Sequence, residues 1–337
     1  MITRRHFLQN SLFTLGTLAL APSIWAQKNP QVMTVTGSMS LGEMGFTLPH
    51  EHIMSLFGGP IAQHAEYDQK KLFDVVIPYL KKLKALGLST LCECTTAYFG
   101  RRADLLKTIS LETGIHILTN TGYYGAANDR YVPDHAKTTS VDQLTKQWLS
   151  EWEDGIENTG IRPGFIKIGV DNGKLSETDA KLIRAAAQTH LHSGLVIVAH
   201  TSGSIEAAFD QLQILKEENV HPSAWIWVHA NNVKDNDALL RAAQTGAWIE
   251  LDGVREDTHD QHLAQIALLK KHGHINQVLL SHDGNSFRYG NRPFKPYEYI
   301  LTHFVPHLKE LGYTSKEIIQ LTIANPRKAF GIAVRKA

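Results

Sequence analysis

The sequence lacks an excess of charge of either sign. Its 337 residues carry 34 Lys and Arg against 33 Asp and Glu, which gives a formal net charge of +1. No block or stripe of basic residues offers the electrostatic footprint that nucleic acid or an anionic membrane surface would require. We therefore predict that nucleic acid is not a partner of this protein.

Cysteine is scarce as well, because Cys92 and Cys94 are the only two in the chain. They are separated by one residue in a predicted strand, so their side chains stand parallel rather than converge and are poorly placed to form a disulfide. A chain of this length can stabilise itself by burial without a disulfide framework.

A long apolar run that could anchor the chain in a membrane is also missing. The apolar stretch from Ser11 to Leu20 is shorter than the roughly 20 residues that a span needs. It follows Arg4-Arg5 and precedes Ala26, an arrangement that resembles a twin-arginine export signal; an uncleaved membrane helix is the alternative. We predict a signal peptide over residues 1–26, one domain over 27–337, no stable membrane anchor, and a periplasmic or secreted protein.

Short apolar runs then alternate with longer amphipathic segments along the rest of the chain. This alternation is typical of a parallel sheet with crossover helices. Ser176-Glu-Thr-Asp and Thr314-Ser-Lys-Glu are helix-capping sequences. The predicted strands are 47–54, 90–95, 116–121, 164–169, 195–199, 224–229, 247–251 and 277–281. The predicted helices are 69–86, 102–113, 141–159, 176–192, 204–217, 235–245, 260–272 and 296–311, followed by a short one after Thr314.

Eight strand–helix units predict an α/β fold, a (β/α)8 TIM barrel. The alternative is an open, doubly wound sheet, but no Gly-x-Gly-x-x-Gly sequence follows the first strand. The ends of the first, fourth, fifth, sixth and eighth strands carry residues of the types that bind metal ions. Only a closed barrel brings these strand ends around one point. The residues are His50, His52, Lys167, His200, His229 and Asp283.

Imidazole and carboxylate side chains in this arrangement predict a metal site. His50 and His52 are two residues apart, so on a strand both point to the same side. Such mixed ligands suit Zn²⁺, which we favour, and also Mn²⁺, Co²⁺ or Fe²⁺. The ammonium of Lys167 would be repelled by the ions, whereas a CO2-derived carbamate on this lysine would be an anion able to bridge two of them. The alternative is that Lys167 faces outward between helices.

These six residues resemble the metal-binding set of the phosphotriesterase family in the amidohydrolase superfamily, and the resemblance covers essentially the whole mature chain. It implies a more buried divalent ion on His50, His52 and Asp283, and an outer ion on His200 and His229. A carboxylated Lys167 would bridge the two ions. It further implies that a hydroxide shared by both ions attacks the substrate, that Asp283 accepts the proton, and that the protein forms a homodimer.

Other segments bear on the substrate. Asn120-Thr-Gly-Tyr-Tyr124 resembles the lactonase branch of the family, in which a tyrosine lines the pocket, so Tyr123 or Tyr124 is expected there. Lactonase relatives carry Asp-Arg after strand seven, whereas this chain has Asp252-Gly253, and Arg255 is a possible replacement. The further candidates for substrate contact are Asn231, beside Asn232 after strand six, Asp252, and Arg288 in the loop that follows Asp283.

The favoured function is hydrolysis of a lactone or carboxylic ester by a binuclear metal centre. The alternatives are phosphotriester hydrolysis and a metal-bearing binding protein without turnover. The chain holds 18 histidines, and most of those outside the metal set are expected to be solvated or capping residues on helices. These are His190, His192, His259, His262, His272 and His274, with His303 and His307 as a surface pair at helical spacing.

Overall fold

The computed structural model describes residues 30–337, so the predicted signal peptide lies outside the described residues. The strands are β1 (Gln31–Thr34), β2 (Gly37–Ser40), β3 (Phe46–Ser55), β4 (Leu88–Glu93), β5 (His116–Leu118), β6 (Asn120–Thr121), β7 (Phe165–Gly169), β8 (Ile197–His200), β9 (Trp225–Val228), β10 (Trp248–Leu251), β11 (Val278–Leu280) and β12 (Gly284–Arg288).

The α-helices alternate with the parallel strands, and the last three follow the final strand. They are α1 (Gln69–Ala85), α2 (Ala103–Thr113), α3 (Asp134–Thr138), α4 (Val141–Glu153), α5 (Glu177–Ser193), α6 (Ile205–Glu217), α7 (Asp237–Gln244), α8 (His259–Lys271), α9 (Val305–Glu310), α10 (Ser315–Ile319) and α11 (Asn325–Phe330). π-helical turns over Ile300–Phe304 and Gln320–Ala324 precede α9 and α11.

The strands after the first hairpin form a closed parallel barrel. One run of ladders connects β6, β7, β8, β9, β10 and β11, and the other connects β12, β3, β4 and β5. β5 and β6 are two halves of the third strand, interrupted at Thr119, and β11 and β12 are two halves of the eighth, interrupted over 281–283. The (β/α)8 prediction is therefore confirmed.

Several parts of the secondary structure differ from the prediction, among them α3, which was not predicted, and α4, which ends at Glu153 rather than at 159. The antiparallel β1–β2 hairpin was not predicted. The segment after Asp283 was predicted as a loop, but it begins with β12, which pairs in parallel with β3. Asp283 adopts a left-handed backbone conformation, with φ of 51°, so the eighth strand turns there and resumes. The helix predicted over 296–311 begins only at Tyr299 and is π-helical over Ile300–Phe304.

Side-chain caps begin several helices where the sequence predicts them. Ser176 accepts a hydrogen bond from the backbone N–H of Asp179, whose carboxylate accepts one from Ser176 in return. Thr314 and Glu317 form the same reciprocal pair at the start of α10. At the other end of α5, Gly194 has a φ of 75°, a conformation that costs glycine little. Both capping predictions are confirmed.

Cys92 and Cys94 are buried and unbonded to each other, as expected. Within residues 30–337, no helix combines the length and the apolar character that crossing a membrane requires.

Two histidines that were expected to be solvated or capping are fully buried. His190 Nδ1 lies 2.8 Å from the Leu195 carbonyl oxygen, and its Nε2 accepts the Arg335 N–H at 2.9 Å. His262 Nδ1 lies 2.8 Å from the Thr258 carbonyl oxygen. Hydrogen bonds to the backbone make the burial of each ring less costly than that of a lone imidazole.

Candidate metal centre

The six side chains predicted to bind metal converge at the carboxyl end of the barrel strands. All six line one cavity. His50 and His52 lie in the middle of β3, Lys167 in β7 and His200 at the end of β8. His229 directly follows β9, and Asp283 lies in the break between β11 and β12. Strand pairing around the closed barrel brings residues from five strands together at this point.

One group of potential ligands consists of His50, His52 and Asp283. Asp283 Oδ1 lies 3.4 Å from His52 Nε2 and 3.8 Å from His50 Nε2. The potential ligand atoms of this group all lie within 4.8 Å of one another, close enough for one ion to contact all three. Lys167 is almost fully buried and its Nζ lies 3.4 Å from His50 Nε2. The alternative that Lys167 faces outward is therefore wrong.

His200 and His229 form a second pair beside the first group. His229 Nε2 lies 2.9 Å from His200 Nδ1, and the His229 ring centroid is 5.1 Å from that of His50. The Tyr124 hydroxyl lies 3.3 Å from both ring nitrogens of His200. The pair thus offers further imidazole nitrogens next to His50.

Hydrogen bonds to Nδ1 fix which nitrogen His50, His52 and His229 present to the centre. The Thr95 hydroxyl donates to the Met54 carbonyl oxygen, so its lone pairs accept from His52 Nδ1 at 2.7 Å. Asp252 Oδ1 lies 2.7 Å from His229 Nδ1, and its Oδ2 lies 3.0 Å from His50 Nδ1. An Nδ1–H that donates to these oxygens leaves Nε2 with its lone pair free to bind a metal ion.

His50, His229 and Asp252 are also close enough together to form a metal-binding group. The atoms that meet there, however, are the Nδ1 atoms and both oxygens of a carboxylate that already accepts hydrogen bonds from them. The His229 backbone N–H also donates to Asp252, at 3.0 Å. We therefore interpret Asp252 as the residue that orients two ligands, a role shared at His50 by Glu250 at 3.1 Å.

The strand-eight break that carries Asp283 is held by Glu51, which lies between the two histidines of β3. Its carboxylate accepts the N–H of His282 at 3.0 Å and that of Gly284 at 2.6 Å. It also accepts from the Ser281 hydroxyl at 2.8 Å. Sequence analysis missed Glu51, although strand alternation places it on the opposite face from His50 and His52, where a carboxylate needs partners.

A close approach between two backbone segments, at Gly122 and Lys167, positions Tyr124 at the site. Gly122 has a φ of 116°, and a Cβ at this position would collide with the carbonyl oxygen of Lys167. Only glycine allows the chain after β6 to cross β7 so closely. Tyr124 then bonds His200, whereas Tyr123 packs on Trp148 and its hydroxyl lies 3.3 Å from His135 Nε2. Of the two tyrosines, Tyr124 therefore lines the cavity.

The electrostatics of the site favour neutral imidazoles at His52 and His200 beside an ionised carboxylate, whereas His50 differs: burial alone would lower its pKa, but Cys94 and the hydrogen bond to Asp252 hold it well above its ordinary value. Burial lowers the pKa of His52 to about 4, which its hydrogen bond to Asp283 only partly offsets. Burial and the neighbouring His229 hold the pKa of His200 well below its ordinary value. Burial alone would raise the pKa of Asp283, but His52 and His229 hold it well below its usual range. The states of His52, His200 and Asp283 are those that a divalent cation binds.

The remaining predicted substrate residues divide into two groups. Arg288 lines the cavity, and so do Lys295 and Asn285, which were not predicted. Arg255 is exposed and pairs with Asp257 at 2.6 Å, so it does not replace the missing strand-seven arginine. The Asn231 side chain accepts the Asp252 N–H at 3.2 Å, which makes it a support of the Asp252 turn.

Asp252→Asn is expected to weaken metal binding about tenfold to a hundredfold. An amide cannot accept from two Nδ1–H groups and the His229 N–H as a carboxylate does, so the His50 and His229 rings lose their fixed orientation. The measurement is a metal titration against a competing chelator, with the exposed Asp257→Asn as control. An affinity within about threefold of the parent would contradict the orienting role.

Comparisons with known proteins agree with this geometry. The phosphotriesterase family profile matches residues 30–330. A phosphotriesterase homology protein from Escherichia coli K12 is 31% identical over 300 residues, which cover 87% of this chain and all of the relative. The human N-acetyltaurine hydrolase is 27% identical over 345 residues, covering 88% of this chain and 97% of its own length.

Among solved structures, a mutant organophosphorus hydrolase from Deinococcus radiodurans superposes with a TM-score of 0.80 at 25% identity. The superposition covers 89% of this chain and 97% of the other. Fold, cavity, family profile and relatives therefore agree, and the chain belongs to the phosphotriesterase family of metal-dependent hydrolases.

Proposed function

We propose that this protein hydrolyses a small carboxylic ester or lactone with two divalent metal ions, Zn²⁺ being the favoured metal. The observation that carries the proposal is the convergence of the Nε2 atoms of His50 and His52 on Asp283 Oδ1, with Lys167 Nζ beside them. The hydrogen bonds to Nδ1 described above prepare these rings as ligands. The donor set, with its buried polar atoms, fits borderline divalent cations.

His50, His52 and Asp283 would hold one ion, and His200 and His229 the other. Such ions, when bound, acidify a water molecule and polarise a carbonyl oxygen. Lys167 would hold both through a carbamate. Its neutral amine forms an N–C bond with the carbon of CO2 and loses one proton, so a repelled ammonium becomes an anion with two oxygens.

The chain's own residues then have separate tasks. Asp283, in contact with both β3 histidines, would accept the proton of the attacking water. Lys295 Nζ lies 3.3 Å from Asp283 Oδ2, on the exposed side of this carboxylate. Tyr124 would contribute a hydroxyl next to His200. The rings of Phe57 and Phe99, 5.7 Å apart, would contact the apolar part of the substrate and exclude water.

The size of the cavity favours a carbonyl substrate over a phosphotriester. Its volume is about 220 Å³, below the roughly 300–1,000 Å³ of drug-sized pockets. A planar ester or lactone carbonyl needs less space than a tetrahedral phosphorus centre with three organic substituents. Phosphotriester hydrolysis is thus the alternative, as a slower side reaction of the same centre.

The test uses the mature protein loaded with Zn²⁺, Mn²⁺ or Co²⁺ in the presence of bicarbonate. Metal per chain is counted, and turnover is measured on lactones, aryl esters, phosphotriesters and N-acetyl amides. We expect about two ions per chain and fastest turnover on an ester or lactone. Faster hydrolysis of phosphotriesters or amides would overturn the substrate assignment, and two bound ions without any turnover would favour a binding protein.

Two further proposals concern the export of the protein and its oligomeric state. The twin-arginine sequence supports export of residues 27–337 as one folded domain to the periplasm or beyond. The family resemblance supports a homodimer. Signal cleavage is tested by N-terminal sequencing of the exported protein, and the dimer by light scattering.

A further inference from the structure

The strand-eight side of the cavity carries an excess of positive charge. Arg288 and Lys295 line it, and the Arg292 guanidinium lies 5.6 Å from the ring centroid of Phe57. Among the described residues, the one carboxylate that lines the cavity is Asp283. Asp283 is assigned to the metal ions and its Oδ2 already lies 3.3 Å from Lys295 Nζ, so the described cavity lining leaves no other carboxylate for Arg288.

Arg288 has hydrogen-bonding capacity that the protein does not use. Its Nη1 donates to the Pro293 carbonyl oxygen at 2.9 Å. Its Nε is buried and has no acceptor within residues 30–337. Nε and Nη2 form one edge of the guanidinium, the edge that binds a carboxylate through two parallel hydrogen bonds.

Backbone hydrogen bonds hold this charged segment in place. Asn285 and Lys295 exchange two of them, both 2.9 Å long, so the intervening loop is closed at its base. Lys295 Nζ then lies over the strand-eight break, 3.1 Å from the Asp283 carbonyl oxygen. In β12, Asn285 pairs with His52 and Arg288 with Ser55. Arg288 is thus three residues beyond the metal level, about 10 Å along the strand.

We propose that Arg288, assisted by Lys295, binds a carboxylate of the substrate, so that the protein acts on anionic esters or lactones. The proposal rests on the function proposed above and names its substrate class. The spacing along β12 places the carboxylate several bonds from the scissile carbonyl. The intervening carbons would contact the apolar rings of Phe57 and Phe99.

The experiment compares matched pairs of 4-nitrophenyl esters. Each pair consists of a half-ester of succinic, glutaric or adipic acid, with a free carboxylate, and the corresponding neutral methyl ester of the same chain. We expect kcat/KM of the metal-loaded protein to be about tenfold higher for the anionic member of the best pair. The preference should decrease as salt is added, because the interaction is between charges.

Arg288→Gln should lower the ratio of anionic to neutral kcat/KM about tenfold. Arg288→Lys, which keeps the charge but loses the planar edge, should lower it less. The matched control is Arg255→Gln, an exposed arginine outside the cavity. If Arg288 only stabilises the loop through its bond to Pro293, Arg288→Gln lowers kcat/KM equally for both esters. The ratio is then unchanged, and this result would overturn the proposal.

Binding of the corresponding diacid, measured by calorimetry, separates this inference from the hydrolytic function. Diacid binding that weakens about tenfold in Arg288→Gln supports the carboxylate site even if no ester is hydrolysed. In that case only the proposed reaction fails. Diacid binding that is the same in Arg288→Gln and the parent would overturn the site, whatever the rates on esters.

Discussion

Lys167→Met is expected to lose metal and hydrolytic activity together. Metal content should fall from about two ions per chain to about one or fewer, and kcat about a thousandfold or more. Methionine fills a similar volume in the buried position of Lys167 but supplies no anion between the two groups of ligands. The two ions would then be bound by four imidazoles and one carboxylate. The single negative charge of these ligands balances less of the positive charge of the ions than the carboxylate and the carbamate together. Metal analysis and kcat on the best ester measure the two effects.

Two further variants make this test specific. Lys167→Glu retains a carboxylate at the position, so it should recover part of the metal binding that Lys167→Met loses. Lys174→Met removes an exposed lysine shortly after β7, outside the cavity, and should behave as the parent. Full metal occupancy in Lys167→Met would remove the carbamate from the mechanism. Equal activity of the parent after metal loading with and without bicarbonate would also contradict the carbamate.

Asp283→Asn is expected to lower kcat about a thousandfold while the protein remains folded. The amide oxygen can still approach His52, but it carries no charge and cannot accept the proton of the attacking water. The turn itself should persist, because the carboxylate of Glu51 bonds the N–H groups on both sides of Asp283. Metal content is expected to fall less than activity, which distinguishes this variant from Lys167→Met.

The control for Asp283→Asn is Asp257→Asn, which removes an exposed carboxylate that pairs with Arg255. Thermal unfolding of both variants shows whether the barrel is intact, and metal analysis shows whether the centre is loaded. A loaded, folded Asp283→Asn protein with activity within about threefold of the parent would exclude Asp283 as the proton acceptor.

The barrel and the convergence of the six candidate ligands could be predicted from local sequence and from the family resemblance that these residues carry. A strand end can be read from a few residues, and His50 and His52 share a face through their spacing alone. The partners that orient these ligands could not be predicted in this way. Thr95 and Asp252 are separated from their histidines by 43 and 23 residues, and barrel closure decides which of them meet.

The substrate side was predicted less well for a related reason. Tyr123 and Tyr124 are adjacent in sequence, and the tight crossing at Gly122 selects the second. Lys295 was missed because its place beside Asp283 depends on the backbone exchange with Asn285, ten residues earlier in the chain. Arg255 was predicted to contact the substrate, but it forms an ion pair with Asp257 outside the cavity.

The position of Glu51 makes metal loading dependent on the completion of folding. Its bond to Ser281 joins residues 230 positions apart, so the first and last barrel strands must meet before Asp283 is brought to the β3 histidines. Closing a contact of such long range costs chain entropy, and long-range strand pairing is slow. A nascent or truncated chain would have the β3 histidines without Asp283 beside them. Tight metal binding would therefore be a property of the chain whose barrel has closed.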